Sequence, residues 1–361
     1  MAGSLQELLG IDAPIVLGPF GGLSSIELTS TVSELGGLGS FGLFGYSADR
    51  ISDTIAALRS ATSRPFAVNL WLPTGDEVEP HEVDLAPATA ALAPIFADLG
   101  IEPPAPPAEF LPDISSQLTA VLDSLDTSAS RARTPGVLSV VYGVPSERLV
   151  AAAHSRGIRI LGTATTVAEA VALAEAGVDA VVASGMEAAG HRVSFLRAAE
   201  QSLVGTFALV PQVVDAVDIP VIAAGGIADR RGVAAAFALG ASGVQVGTAF
   251  LRTRQSAATP AHRDAIAAGS DTGTVLTRAM TGRLARGIPN RAMRDIETAG
   301  VIAPFPAQAW LTGVFRAEGG RRGDGDFVSL WAGQAAALAT HDEAADVFAE
   351  LAAGLPGGHG A

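Results

Sequence analysis

The sequence contains no cysteine among its 361 residues. Disulfide bonds, a thiolate nucleophile and a cysteine-ligated metal are therefore excluded. Lysine is absent as well, so all 23 basic residues are arginine. A chain without lysine cannot form a Schiff base through an ε-amine, which excludes the aldolase and pyridoxal-phosphate mechanisms that often use α/β barrels.

Positive charge is scarce too, because 37 acidic residues against 23 arginines give a net charge of −14. A chain this acidic is a poor partner for nucleic acid or for an anionic membrane.

No signal peptide is predicted, since Glu7 and no basic residue precede the first apolar run. The longest uncharged stretch, residues 233–251, is interrupted by Gly240, Gly243 and Gly247 and predicts a helix end, a turn and a strand. We expect a cytoplasmic protein with a small-molecule substrate.

Eight short apolar runs predict β-strands covered on both faces, because most are continuous rather than alternating. These runs are Ile15–Phe20, Gly37–Phe41, Phe66–Leu70, Val137–Tyr142, Arg159–Thr163, Ala180–Ala183, Pro220–Ala224 and Gly243–Val246. Amphipathic segments of helical length lie between them, most clearly Leu28–Leu35, Ile51–Ser60, Ser146–Arg156, Val167–Ala176 and Arg231–Leu239. Alternating strands and helices give a parallel sheet, and eight such units predict a closed (β/α)₈ TIM barrel.

Two segments depart from this alternation. A Pro-rich insertion, residues 74–135, follows the third strand, and its run Glu102–Pro107 predicts an extended segment between helices at Leu85–Leu99 and Ile114–Leu125. Residues 255–361 predict a helical C-terminal extension after the barrel of residues 1–254. We expect this extension to pack near the active-site face as a lid. Its last residues, 355–361, are Gly-rich and are expected to be disordered.

Glycine turns follow the seventh and eighth predicted strands. They are Gly225-Gly226 and Gly247-Thr248. In many barrels these two loops bind a phosphate, because glycines let backbone N–H groups approach the anion. A GxGxxG match at residues 37–42 is not a dinucleotide fingerprint, since it follows a predicted helix and forms the second strand itself.

The loop after the sixth strand, Ser184–Arg192, carries the candidate catalytic residue His191 beside small residues. Small residues let a flat ligand approach, and a histidine exchanges protons near neutral pH. We expect Glu187 to orient this loop through backbone hydrogen bonds. No catalytic role is expected for the other histidines, His81, His154, His262, His341 and His359. No metal site is predicted, because no histidine and carboxylate pair has ligand spacing.

Several motifs together resemble the nitronate monooxygenase family of FMN-dependent barrels, formerly called 2-nitropropane dioxygenases. They are the segments 14–22, 66–70 and 187–192, the two glycine turns, and the segments 282–288 and 330–334. The segment Glu187-Ala188-Ala189-Gly190-His191-Arg192 is similar to the family's EAGGHRG and is the most specific of them. This chain has Phe20 where the family usually has Met, and Ala189 where it usually has a second Gly. It also lacks the Lys found in the tail of one class.

The resemblance implies FMN as cofactor, with His191 over the reactive edge of the flavin as the catalytic base. The residues alone also allow a protonated His191, or Arg192, to stabilise an anionic substrate instead, and both roles stay open at this point. The residues implied in FMN binding are Gly18, Pro19, Phe20, Gly21, Asn69, Ala188, Ala189, Gly190, Gly225, Gly226, Gly247, Thr248 and Gln334. Arg283 and Arg286 are interpreted as residues that tie the tail to the barrel. A homodimer is compatible with the resemblance.

The implied activity is the oxidation of alkyl nitronates, with nitroalkanes as further candidates, by O₂ to a carbonyl compound and nitrite. Three alternatives stay open at this point. One is an FMN-dependent reductase of the enoyl-thioester type that uses NAD(P)H, and another is a non-catalytic flavin-binding protein. The third is a barrel that binds a phosphosugar without flavin.

Overall fold

The computed structural model describes residues 4–127 and 135–357, and eight parallel strands form a barrel in its centre. The barrel strands are β1 Ile15–Leu17, β2 Gly39–Gly42, β3 Phe66–Trp71, β4 Gly136–Val141, β5 Ile158–Ala164, β6 Ala180–Ser184, β8 Val221–Ala224 and β9 Gly243–Val246. A separate antiparallel sheet joins β7 Gly190–His191, β10 Val275–Thr277 and β11 Ala285–Gly287. Because β7 lies outside the barrel, the seventh and eighth predicted strands correspond to β8 and β9.

The barrel closes between its first two strands. The sheet order is β1-β9-β8-β6-β5-β4-β3-β2. The Leu17 N–H donates to the carbonyl of Leu38 at 2.9 Å, and the Leu38 N–H donates to the carbonyl of Ile15 at 2.9 Å. These bonds join β1 to the segment before β2, so the sheet has no free edge there. The TIM barrel prediction is confirmed.

The first strand is shorter than predicted. We expected it to end at Phe20, and this was wrong. It stops at Leu17, and Phe20 lies in a turn. In this turn the Phe20 N–H donates to Ser24 Oγ at 3.2 Å, and the Ser24 hydroxyl donates to the Phe20 carbonyl at 2.9 Å. The chain thereby leaves the sheet at the carboxyl end of β1, which brings Phe20 to the mouth of the barrel.

Helices cover the outside of the barrel and form most of the tail. They are α1 Leu5–Leu9, α2 Ile26–Glu34, α3 Ala48–Ala61, α4 Ala86–Leu99, α5 Ile114–Leu125, α6 Glu147–Ser155, α7 Val167–Glu175, α8 Thr206–Ala216, α9 Arg230–Ala238, α10 Thr248–Leu251, α11 Pro260–Ala267, α12 Arg291–Ala299, α13 Ala307–Arg322 and α14 Ala344–Ala352. Short 3₁₀ turns occupy Ala199–Gln201, Gly325–Phe327 and Ala336–Leu338. Ser or Thr side chains cap the first turns of α2, α3, α6 and α7, which satisfies otherwise unpaired N–H groups.

The helix α8 was missing from our clearest predicted helices, and it contains Pro211. The carboxylate of Glu169, in the first turn of α7, accepts hydrogen bonds from other segments. It accepts hydrogen bonds from Thr165 and from the N–H groups of Phe195 and Leu196, at 2.7–3.2 Å. This fully buried carboxylate therefore holds the loop after β6 against the barrel.

The insertion and the tail share a hydrophobic core of their own. Helix α5 packs on α3 at the barrel wall, whereas α4 packs on α12 and α13 of the tail. Buried residues of α4, such as Leu92 and Phe96, lie in one cluster with Met293 of α12 and Phe315 of α13. Leu355 to Gly357 follow α14 as a turn, and residues 358–361 lie outside the described residues. None of the helices in the described ranges is both long and apolar enough to cross a membrane.

Candidate active site

A cavity of about 250 Å³ opens at the carboxyl ends of the barrel strands. Barrel enzymes place their active sites at this end. The predicted residues that line it are Gly18, Pro19, Phe20, Gly21, Asn69, Ala188, Ala189, Gly190, His191, Gly225, Gly226, Gly247 and Thr248. Gln334 is not in this lining, although its backbone N–H donates to the carbonyl of Glu187 at 3.0 Å.

Glycines shape one end of the cavity. Gly225 and Gly226 have φ angles of +103° and +73°, which side-chain-bearing residues rarely adopt. A Cβ on Gly225 would lie 2.9 Å from Thr206 Oγ1 and 3.2 Å from the Ala188 nitrogen. Within the described ranges, the N–H groups of Gly226 and Ile227 donate to no other protein group. Close approach and free N–H donors are the features that a phosphate requires.

The wall beside this cradle is built from the segment after β1, from β3 and from the tail. Asn69 is buried, and its amide donates to the carbonyl and the hydroxyl of Ser139 at 3.2 Å each. These bonds leave the Asn69 amide oxygen available to a ligand. On the tail, the Gly333 N–H donates to Thr248 Oγ1 at 2.9 Å, and a Cβ on Gly333 would lie 2.7 Å from the Glu187 carbonyl. Gly333 therefore lets the tail pack closely against the cavity.

His191 lies opposite, on the short strand β7 that pairs with β11 of the tail. Its Nε2 lies 2.9 Å from Thr281 Oγ1, and its Nδ1 makes no hydrogen bond within the described ranges. The rings of Trp71 and Trp331 contact the imidazole at centroid distances of 4.9 and 5.4 Å. The aromatic contacts and the threonine fix the plane of the ring and leave Nδ1 for a ligand.

The expectation that His191 titrates near neutral pH was wrong. Desolvation by the surrounding side chains lowers the pKa of His191 to about 3, and the positive charges of Arg283 and Arg316 act in the same direction. The imidazole is therefore neutral at pH 7. Arg192, its sequence neighbour, is not part of the cavity lining, because its guanidinium donates to the carbonyls of Gly185 and Ser184.

The loop that carries His191 is held by charged side chains. The Glu187 carboxylate accepts the N–H of Thr206 at 2.9 Å and its hydroxyl at 2.9 Å. This confirms the expected orienting role of Glu187. Arg286 donates from Nε to the carbonyl of Met186 at 2.9 Å, so it ties the tail to this loop. Arg283 instead pairs with Asp76 and Glu77 and connects the tail to the insertion.

Comparison with known proteins identifies the family. A family model described as nitronate monooxygenase matches residues 3–354. The probable nitronate monooxygenase of Staphylococcus aureus strain Newman is 37% identical over 349 residues, which cover 96% of this chain and 95% of that protein. The chain belongs to the nitronate monooxygenase family. The resemblance inferred from the motifs is thereby confirmed, and the protein is an oxidoreductase of the nitronate monooxygenase type.

Solved structures similar to this nitronate monooxygenase family member match nearly its whole length. The nitroalkane oxidase from Streptomyces ansochromogenes has a TM-score of 0.84 and 35% identity, and the match covers 97% of each chain. FabK from Thermotoga maritima has a TM-score of 0.73 and 28% identity, covering 97% of this chain and 95% of its own. The fold therefore extends to the insertion and the tail.

The departure from the family motif at Ala189 fits the backbone. Among the described residues Tyr142 is the only non-glycine with a positive φ, so Ala189 adopts a conformation open to any L-residue. The neighbouring Gly190 has φ +71° and needs its glycine. The methyl group of Ala189 therefore adds to the cavity wall without straining the loop.

Sequence reasoning missed the aromatic half of the cavity. Phe44, Trp71 and Phe305 line it together with Trp331 and Arg316. Of these residues, only Trp331 lies in a motif of the family resemblance, the segment 330–334. The signal for Trp71 was its position directly after the predicted third strand. His262, for which we expected no catalytic role, lies outside the lining and is buried with its Nε2 2.9 Å from the Trp331 carbonyl, so it positions that segment.

Proposed function

We propose that this protein is an FMN-dependent monooxygenase that oxidises alkyl nitronates with O₂ to a carbonyl compound and nitrite. Family membership supports the substrate class, and the glycine cradle supports the cofactor. The observation that carries the choice of nitronates over neutral nitroalkanes is the desolvation of His191. A neutral imidazole with a pKa of about 3 is a weak base, whereas a nitronate has already lost its α-proton.

The residues fit FMN from one end of the cavity to the other. Gly226 and Ile227 offer free N–H groups for the phosphate, and the closely packed Gly225 keeps side chains away from it. The small side chains of Ala188 and Ala189 leave room for a flat ring system, and Asn69 offers its amide oxygen. When bound, FMN supplies an electron acceptor that passes the electrons of the substrate to O₂.

His191 has a second role that depends on its tautomer. If Nε2 donates its proton to Thr281 Oγ1, Nδ1 is an acceptor and takes the α-proton of a neutral nitroalkane. The negative charge that develops on the nitro group as the proton leaves favours the protonated imidazole and makes this step easier. Neutral nitroalkanes are thus proposed as slower substrates that depend on His191.

The test begins with the flavin. Purified protein is saturated with FMN, freed of excess cofactor, and mixed with propane-2-nitronate in air while oxygen and nitrite are measured. Oxygen consumption with nitrite formation is expected, and 2-nitropropane should react more slowly at pH 7. Failure to retain FMN would contradict the proposal and the FMN-dependent reductase alternative together. Flavin bleaching by NADH without nitrite formation would contradict the proposal and favour the reductase.

The variant His191→Asn separates the two substrates. It should retain FMN and lose at least ~10-fold in kcat/KM for 2-nitropropane, with a smaller loss for the nitronate. His154→Asn is the matched control, because His154 pairs with Asp179 on the outer surface, away from the cavity lining. Equal losses for both substrates in His191→Asn would refute its role as a base.

A further inference from the structure

The aromatic half of the cavity contains one guanidinium among its described lining residues, that of Arg316 in α13. Its Nε donates to Thr312 Oγ1 at 3.2 Å and its Nη2 donates to the carbonyl of Ala309 at 2.8 Å. Both bonds return to its own helix. Within residues 4–127 and 135–357, Nη1 makes no hydrogen bond and no carboxylate pairs with this cation.

An arginine without a carboxylate is unusual inside a cavity, because removing its charge from water is costly. Arg283, the other arginine of the tail near His191, does pair with carboxylates, those of Asp76 and Glu77. Desolvation lowers the pKa of Arg316 only to about 10, so its guanidinium stays charged at neutral pH. A charged group kept at a cavity wall without a protein partner is suited to bind an anion that enters the cavity.

Two consecutive residues, Met280 and Thr281, connect Arg316 to His191. The hydroxyl of Thr312, which accepts from Arg316, donates to the carbonyl of Met280 at 2.6 Å. The next residue, Thr281, lies 2.9 Å from His191 Nε2. The positive charge of Arg316 also acts on the imidazole, which places the two groups within electrostatic range. They therefore form one side of a single site.

The walls around this side are apolar. The ring of Phe44 lies 4.1 Å from that of Trp71, and Trp71 stacks on Phe305 at 6.0 Å. Such walls accept a carbon chain but provide no partner for a second charge. We infer that Arg316 binds the anionic group of the substrate through its unpaired Nη1, while the aromatic walls hold an uncharged carbon body. This inference rests on the proposed function and specifies its substrates as monoanionic alkyl nitronates.

Binding can be tested without turnover. Isobutyrate has the planar anionic head and the two methyl groups of propane-2-nitronate, and isobutyramide is its neutral counterpart. Both are titrated by calorimetry into FMN-saturated wild-type protein. We expect isobutyrate to bind at least ~10-fold more tightly, which is ~1.4 kcal/mol. Equal affinities in the wild-type protein would overturn the inference without any variant.

Variants at position 316 then test whether Arg316 causes the preference for isobutyrate. Arg316→Gln should remove the preference for isobutyrate and raise the KM for propane-2-nitronate ~10-fold or more, because a charged hydrogen bond is lost. Arg316→Lys should recover part of both. Arg321→Gln is the control on the same helix, since Arg321 is exposed and pairs with Glu318. An unchanged KM in a folded Arg316→Gln protein that retains FMN would refute the assignment.

The role of the aromatic walls is tested with two nitronates whose carbon chains differ in charge. Butane-1-nitronate and propionate 3-nitronate are similar in length, but the second carries an additional carboxylate. We expect the wild-type protein to have a kcat/KM at least ~10-fold higher for the monoanion, and a preference for the dianion would contradict the assignment of the walls. If neither nitronate is oxidised but the preference for isobutyrate persists and depends on Arg316, the proposed function fails and the anion site stands.

Discussion

His191 illustrates how its surroundings, rather than its residue type, determine the chemistry of a side chain. A histidine beside small residues indicates a proton carrier near neutral pH. In the structure it is packed between Trp71 and Trp331, and the positive charges of Arg283 and Arg316 act on it. The imidazole is therefore neutral at pH 7. The consequence is a site better matched to substrates that arrive already deprotonated.

The depressed pKa of His191 predicts a dependence of stability on pH. Below pH 6.5 the unfolded chain binds a proton at this side chain that the folded protein binds only near pH 3. Stability from this group is therefore complete above pH 6.5 and falls as the pH falls towards 3. Urea unfolding at pH 7 and pH 5 should show His191→Asn losing less stability than the wild type, by up to about 2 kcal/mol. Parallel losses in the two proteins would contradict the lowered pKa.

We expect that adding a methyl group at Gly225 weakens FMN binding. The Cβ of Gly225→Ala would contact Thr206 and Gly185 closely and would fix an unfavourable φ beside the cradle. FMN affinity, measured by fluorescence quenching, should fall ~10-fold or more. Gly22→Ala is the matched control, because Gly22 also has a positive φ but nothing lies within 4 Å of its added Cβ. Equal FMN affinity in both variants would argue against the cradle.

At the level of elements, the insertion is important because α4 packs on the tail. Helix α4 and the tail helices α12 and α13 bury one shared apolar cluster, separate from the cluster around the barrel. The tail in turn contributes Thr281, Phe305 and Arg316 to the cavity. An element remote in sequence therefore supports the residues that line the site.

Phe96 in α4 provides the corresponding prediction. Its ring is buried and lies 6.3 Å from that of Phe315 in α13. Phe96→Ala should lower the free energy of unfolding by about 3–5 kcal/mol, because it removes buried apolar surface and leaves a cavity. Phe207→Ala should change it little, since the Phe207 side chain is 74% exposed. Thermal unfolding of both variants measures the difference, and similar effects would contradict the shared core.

For the whole molecule, the absence of lysine gives a prediction that needs no variant. An amine-reactive ester can modify only the α-amine at the start of the chain, since the sequence has no ε-amine. Mass spectrometry after exhaustive labelling should show no internal acylated amine. FMN binding and nitronate turnover should be unchanged, and their loss on labelling would contradict a mechanism that relies on arginine and histidine alone.

The sequence by itself determined the barrel and one end of the site. Continuous apolar runs alternating with capped helices specify local structure, and the glycines at 225–226 and 190 are required by backbone conformations that neighbouring residues impose. The family motif depends on the same local segments. For this reason the barrel, the cradle and the position of His191 could be predicted from the order of the residues.

Only the tertiary structure decided the other end of the cavity. Trp71, Phe305 and Arg316 come from a strand end and from two parts of the tail, and no sequence spacing relates them. The pKa of His191 depends on the charges and the desolvation that these distant segments bring to it. Desolvation and long-range electrostatics are properties of the packed molecule, so the protonation state of His191, on which the proposed preference for nitronates over neutral nitroalkanes rests, could not be read from the sequence alone.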